Sequence, residues 1–100
     1  MSYLLQIDFK FNGPFGEEMY NQFKDLAESI NLEKGLITKV WTESEERKEA
    51  GGIYFFGAEE DAQQYLEMHL ERLSGFGILE ANTKIFKVNE KLTGVHKALI

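Results

Sequence analysis

Hydrophobic and polar residues alternate from Tyr3 to Phe11. Tyr3, Leu5, Ile7, Phe9 and Phe11 point one way, and Leu4, Gln6, Asp8 and Lys10 the other. Period two over such a stretch predicts a strand. Asn12-Gly13-Pro14-Phe15-Gly16 ends it, because Gly and Pro clusters interrupt regular structure. From Glu17 to Asn31 the spacing turns helical, with Met19, Phe23, Leu26, Ala27 and Ile30 on one stripe. Glu17 and Glu18 in the first turn complement the helix dipole. Leu36 to Glu43 predicts a second strand, and Ala50 to Phe56 a third that is apolar on both faces, as a central strand is. The charged run Ser44 to Glu49 between them predicts a hairpin tip. Ala58 to Leu73 predicts a second helix with Ala58, Ala62, Tyr65, Leu66, His69 and Leu73 on one face. Ile78 to Val88 predicts a fourth strand, and Asn89 to Ile100 a tail of one or two helical turns.

Strand, helix, strand, strand, helix, strand is the order of the ferredoxin-like α+β fold. Two right-handed crossovers around a hairpin give a four-stranded antiparallel sheet with both helices on one face. A chain of 100 residues without repeats or linkers makes one domain. The helix-free face spans about 19 by 20 Å, on the order of 400 Å². Rings of the third strand point onto that face. Trp41 is expected there too, because Leu36, Thr38 and Val40 form the expected helix-facing set. Monomers seldom leave such a patch open. The expectation is a homodimer packed face to face, with a cavity where the rings do not interdigitate; the alternative is that the tail folds back over its own sheet.

Composition sharpens this picture at three points. Eight Phe, four Tyr and one Trp are a large aromatic load for so small a core. No cysteine is present, which excludes disulfides, thiolate catalysis, iron–sulfur ligation and Cys-based zinc sites. A net charge of −6 argues against a nucleic-acid partner. The start Met-Ser-Tyr-Leu-Leu has neither a basic leader nor a long apolar run, so no signal peptide or membrane span is expected and a cytoplasmic location is the default.

Familiar catalytic motifs are missing. His69 and His96 are the only histidines and share no metal-ligand spacing, so no metal is expected. The glycine-containing loops are too short to cradle phosphate, and no Gly-x-Ser-x-Gly occurs. His69 on an apolar helical stripe is most often a hydrogen-bonded packing residue. Trp41 and Tyr54, on neighbouring strands, read first as core rings. Gln6, Asp8, Lys39 and Glu43 are polar groups expected on the helix-free face. They are either solvated at the rim or, if a dimer covers them, convergent groups in an aromatic pocket.

Several stretches carry a resemblance: Phe11-Asn12-Gly13-Pro14-Phe15-Gly16, Leu26-Ala27-Glu28-Ser29-Ile30-Asn31, Lys39-Val40-Trp41-Thr42-Glu43-Ser44 and Glu49-Ala50-Gly51-Gly52-Ile53-Tyr54. Tyr65-Leu66-Glu67 with His69, then Val88-Asn89-Glu90, continue it. The chain resembles the YdhR-type mono-oxygenases, a branch of the dimeric α/β-barrel superfamily, over nearly its whole length. The resemblance implies a homodimer with a pocket in each subunit, an aromatic (phenolic or polycyclic) substrate, and oxidation by O₂ with no metal or flavin cofactor. Trp, Tyr, Asn, Arg and His recur as pocket residues in that superfamily. Here Arg47 sits at a hairpin tip and Arg72 late in a helix, which argues against an Arg-assisted mechanism. Within the implied chemistry, Trp41 and Tyr54 are candidates for the aromatic wall, His69 or Asp8 for the catalytic base, and Asn12 or Lys39 for anion-holding donors. Glu43 and Gln6 complete the candidate substrate-binding set. Two other functions stay open: a small-molecule-binding or stress-response barrel without turnover, and a haem-binding barrel with His69 as axial ligand.

Overall fold

The computed structural model describes residues 2–97. Its strands are β1 (Tyr3–Lys10), β2 (Leu36–Ser44), β3 (Glu49–Phe56) and β4 (Asn82–Lys87), and its helices α1 (Gly16–Ile30), α2 (Glu59–Gly75) and α3 (Glu90–Thr93). The strands form one antiparallel sheet in the order β2-β3-β1-β4. This is the ferredoxin-like α+β architecture. The two strands with the strongest apolar content on alternate positions, β1 and β3, are central. The core cluster joins Leu5 and Ile7 of β1, Tyr54 and Phe56 of β3, Ile30 of α1, and Ala62, Tyr65, Leu66 and Leu73 of α2. No described helix is long and apolar enough to cross a membrane.

Facing is set by pairing. Leu5 lies opposite Tyr54 and Ile85, and Ile7 opposite Gly52 and Thr83, on the helix side. Leu4 lies opposite Phe55 and Phe86, and Gln6 opposite Ile53 and Lys84, on the other side.

β2 departs from the predicted alternation. Leu36 pairs with Phe56, but Thr38 pairs with Phe55, so Ile37 is an extra residue in the ladder. A bulge of one residue reverses the parity of everything after it. Lys39 therefore stands opposite Tyr54, Trp41 opposite Gly52 and Glu43 opposite Ala50. All three belong to the helix-side rows, while Thr38 and Val40 face the open side. The expected placement of Trp41, Lys39 and Glu43 on the helix-free face is thus corrected.

Two further boundaries differ from the sequence reading. β4 begins at Asn82, not Ile78. Gly77 takes a positive φ of 85° and Ile78 N–H returns to Leu73 O, so Ile78 and Ala81 pack on the core before the strand starts. The tail forms the single turn α3, capped by Asn89 Oδ1 accepting from Leu92 N–H at 3.1 Å. Residues 89–97 are exposed and do not fold back over the sheet, and the last stretch of the predicted tail, residues 98–100, lies outside the described residues.

Candidate active site

Between the helices and the helix-side face of the sheet lies a cavity of about 420 Å³. Its floor comes from β1 and β3, its far wall from α1, and its near wall from α2. Asn12 and its neighbours after β1 and Phe76-Gly77 after α2 line it as well, and exposed Asn12, Phe76 and Gly77 mark the rim.

Phe9, Phe11, Phe23, Trp41, Tyr54 and Phe76 give the wall its rings. Phe23 of α1 stacks on Trp41 of β2, centroids 6.3 Å apart and planes 27° from parallel. Phe11 touches Phe9, Phe15 and Phe23 in turn, so α1 rests on an aromatic layer. Offset and edge contacts of this kind are favourable between rings.

Lys39 enters this wall from β2. Its Nζ lies 3.5 Å from the Trp41 centroid and 4.4 Å from the Tyr54 centroid. Space for its stem is made by Gly52, where a Cβ would approach Lys39 Cε to 2.7 Å and Tyr54 Cε1 to 3.1 Å. Among the described residues no carboxylate pairs with Lys39. Burial, with Arg72 adding repulsion, lowers its pKa to about 7. A lysine shifted this way carries a neutral amine over part of the physiological range.

Behind Tyr54 runs a short polar chain. Tyr54 Oη lies 3.3 Å from His69 Nε2, and His69 Nδ1 lies 3.5 Å from Arg72 Nη1. Arg72 also donates to Met68 Sδ at 3.3 Å. Guanidinium nitrogens only donate, so His69 Nδ1 accepts and its proton sits on Nε2. Nε2–H then donates to the Tyr54 oxygen, which leaves the Tyr54 O–H free to donate onward. His69 is buried and its pKa is lowered to about 4, mainly by burial and then by Lys39 and Arg72. Burial, and then the neighbouring Tyr65, raises the pKa of Tyr54 well beyond the usual phenol range. Tyr54 and Tyr65 influence each other's ionisation, yet Tyr65 Oη has no partner of hydrogen-bonding geometry, the one such buried side-chain atom among the described residues.

Of the residues singled out from sequence, Trp41, Tyr54, Lys39, His69 and Asn12 line this one cavity. Three do not. Asp8 lies on the opposite face of the sheet, holding Asn82 Nδ2 at 3.1 Å and Gln6 Nε2 at 3.3 Å. Glu43 faces the helix layer but accepts the Gly16 N–H at 2.8 Å, anchoring the first residue of α1. Arg72 was set aside on its position late in a helix, and the structure places it against His69. The signal was available, since residues three apart on a helix are neighbours. Phe23 and Gly52 were also missed as site residues; a glycine inside a strand often marks a close approach.

Neither ring nitrogen of His69 is free, because one faces Tyr54 and the other Arg72. That arrangement does not fit a haem axial ligand. Among the described residues no group of three or more His, Cys, Asp or Glu is placed to hold a metal ion.

The comparisons with known proteins bear on this geometry. A family model described as "Putative mono-oxygenase ydhR" matches residues 4–99. A solved structure described as "Structural Genomics, protein YJCS" superimposes with a TM-score of 0.61 at 20% identity, covering 88% of this chain and 98% of that one. At that identity the likeness speaks for the fold. No curated protein matches.

Proposed function

The chain belongs to the ydhR mono-oxygenase family, and on that premise we propose that it oxidises electron-rich aromatic molecules with O₂, without metal or flavin, inside the cavity of its own helix layer. The observation that carries this reading is one cavity lined at once by stacked rings and by a desolvated amine, Lys39. A flat phenolic or anthrone-like substrate suits such a wall, because ring contacts and burial supply most of its affinity. A substrate of this class, once deprotonated, can reduce O₂ itself, so the protein needs to supply orientation, a proton acceptor and donors for the resulting anion. Tyr54 is the donor in this scheme. His69 is a positioning residue: with both nitrogens engaged it holds Tyr54 so that the hydroxyl hydrogen is free for a substrate oxygen. Asn12 stands at the rim. Asp8 is on the far side of the sheet and has no part in this scheme.

We also propose that the protein is a homodimer joined through its helix-free face. Leu4, Val40, Ile53, Phe55 and Phe86 share that face, and Phe86 is 48% exposed in the single chain. Among the described residues the tail, 89–97, is exposed and leaves the face open, and apolar surface of this kind is normally buried.

The function is tested by offering hydroquinone and anthrone compounds to chelator-treated protein while recording Trp41 fluorescence and O₂ uptake. Quenching together with uptake, without added reductant, is expected. Quenching with no O₂ consumption across the panel would leave a binding protein and end the enzyme reading.

A further inference from the structure

We propose that Lys39 is the proton acceptor of this site, its uncharged amine taking the substrate's acidic proton from a seat above Trp41 and Tyr54. The inference rests on the mono-oxygenase reading and deepens it.

Two imine or amine-type lone pairs are candidates in the cavity, those of His69 and Lys39. The His69 lone pair on Nδ1 is directed at Arg72, and its other nitrogen carries the proton shared with Tyr54. Lys39 is placed otherwise. The bulge at Ile37 turns it to the helix side, Gly52 leaves room for its stem, and its Nζ sits over two ring faces that also wall the cavity. A flat substrate lying in the cavity at the edge of Trp41 and Tyr54 brings its ionisable group within reach of that nitrogen.

Charge around Lys39 favours the uncharged amine between turnovers. On α2 it faces Arg72, a fixed cation that disfavours a second one, and the neutral His69. On β3 its neighbour is Tyr54, kept protonated by burial. On the α1 side, Lys24 and Glu28 line the adjoining groove with Glu43 of β2, and Glu43 is engaged with the Gly16 N–H. Once the proton arrives, the ammonium is held by the Trp41 and Tyr54 faces and by the substrate anion it has created.

For a methylene substrate the steps balance with O₂ alone. The amine takes one C–H proton and leaves a carbanion. The carbanion passes one electron to O₂, and the radical pair joins to form a C–O bond and a peroxide anion. The ammonium protonates that peroxide and becomes an amine again. The amine then removes the second proton from the same carbon as the O–O bond breaks, and the departing hydroxide takes this proton back as water. The sum is R₂CH₂ + O₂ → R₂C=O + H₂O. The substrate loses four electrons to O₂, and Lys39 ends as it began.

The test uses the whole protein with Lys39→Arg, Lys39→Met and His69→Gln, all first confirmed as folded by circular dichroism. Arginine keeps a cation but has no lone pair to offer at any working pH. Wild-type kcat/KM is expected to rise with pH through a limb near 7. Lys39→Arg is expected to lower kcat about 100-fold or more, the usual worth of a general base, while ligand affinity changes little and the limb disappears. His69→Gln should keep the limb. A second readout needs no turnover: para-nitrophenol, whose colour reports its ionisation, should bind wild type as the anion and Lys39→Met as the neutral phenol. If no aromatic compound is oxidised but that colour change still depends on Lys39, the proton-acceptor assignment stands and the mono-oxygenase reading falls. If turnover survives both Lys39 variants within a few-fold, or the phenol ionises equally in Lys39→Met, the assignment is overturned.

Discussion

Burial lowers the pKa of both His69 and Lys39, and both shifts should leave a mark on stability. The folded protein lowers His69 from 6.5 to about 4. Between those values the unfolded chain binds a proton that the folded one refuses. Stability is therefore complete above the upper value and falls as pH drops toward the lower one. Urea midpoints should show this slope, and His69→Gln should flatten it. Lys39 obeys the same sign in a higher window: its pKa drops from 10.5 to about 7, so stability climbs as pH rises between the two. Lys39→Met should remove that climb and be the more stable protein below pH 7, a site residue retained at the expense of stability. Gly52→Ala tests the placement of the amine. The added methyl meets Lys39 Cε at 2.7 Å, a flexible stem that can swing aside, and also Tyr54 Cε1 at 3.1 Å and Val40 O at 3.3 Å, which have to give by a few tenths of an ångström. The expected result is a loss of stability of about 1–3 kcal/mol with a clear upward shift of the Lys39 pKa, read from its Cε resonance.

At the level of elements, periodicity predicted most of the fold and placed only part of the candidate site. β1, β3, α1 and α2 follow from spacing alone, because their apolar rows keep one period from end to end. β2 misled the reading because a bulge has no signature in a row of β-branched and apolar residues. Leu36-Ile37-Thr38-Lys39-Val40-Trp41 alternates acceptably in either parity, and only pairing with β3 decides which half faces the helices. Trp41 and Lys39 were thus singled out for their chemistry and assigned to the wrong face. Spacing set His69 on the apolar stripe of α2 and Tyr54 beside Trp41 without joining the two, and it is the packing of α2 on β3 that brings Tyr54 Oη within 3.3 Å of His69 Nε2. Asp8 was already expected on the helix-free face by the alternation of β1, and its pairing with Gly51 and Asn82 keeps it there, across the sheet from His69. The bulge makes its own prediction. Deleting Ile37 should give a regular ladder with Lys39 still opposite Tyr54, so Trp41 fluorescence should stay close to wild type. Deleting Val40 shifts Trp41 by one position and turns it to the open side, and its emission should then move toward that of a solvated indole.

In the whole molecule, the two sides of the sheet differ. The helix side encloses the aromatic cavity within one chain, and the open side carries Leu4, Ile53, Phe55 and Phe86, the face proposed to meet a second copy. Light scattering should give about twice the 11.5 kDa chain mass. Phe55→Lys should shift it toward the monomer, because a charge buried without a partner is costly, while ligand quenching of Trp41 persists since no cavity residue is touched. A clean monomer in the wild type would remove the proposed interface and leave the cavity as described. The central claim is that this cavity inserts one atom of O₂ into an aromatic substrate with no cofactor or added reductant. It is tested most directly by incubating chelator-treated protein with an anthrone under isotopically heavy O₂ and weighing the product by mass spectrometry. One heavy oxygen in each product molecule, with the other recovered in water, is the predicted result. Product carrying oxygen from solvent, or label appearing only when a reductant and a metal are added back, would contradict it.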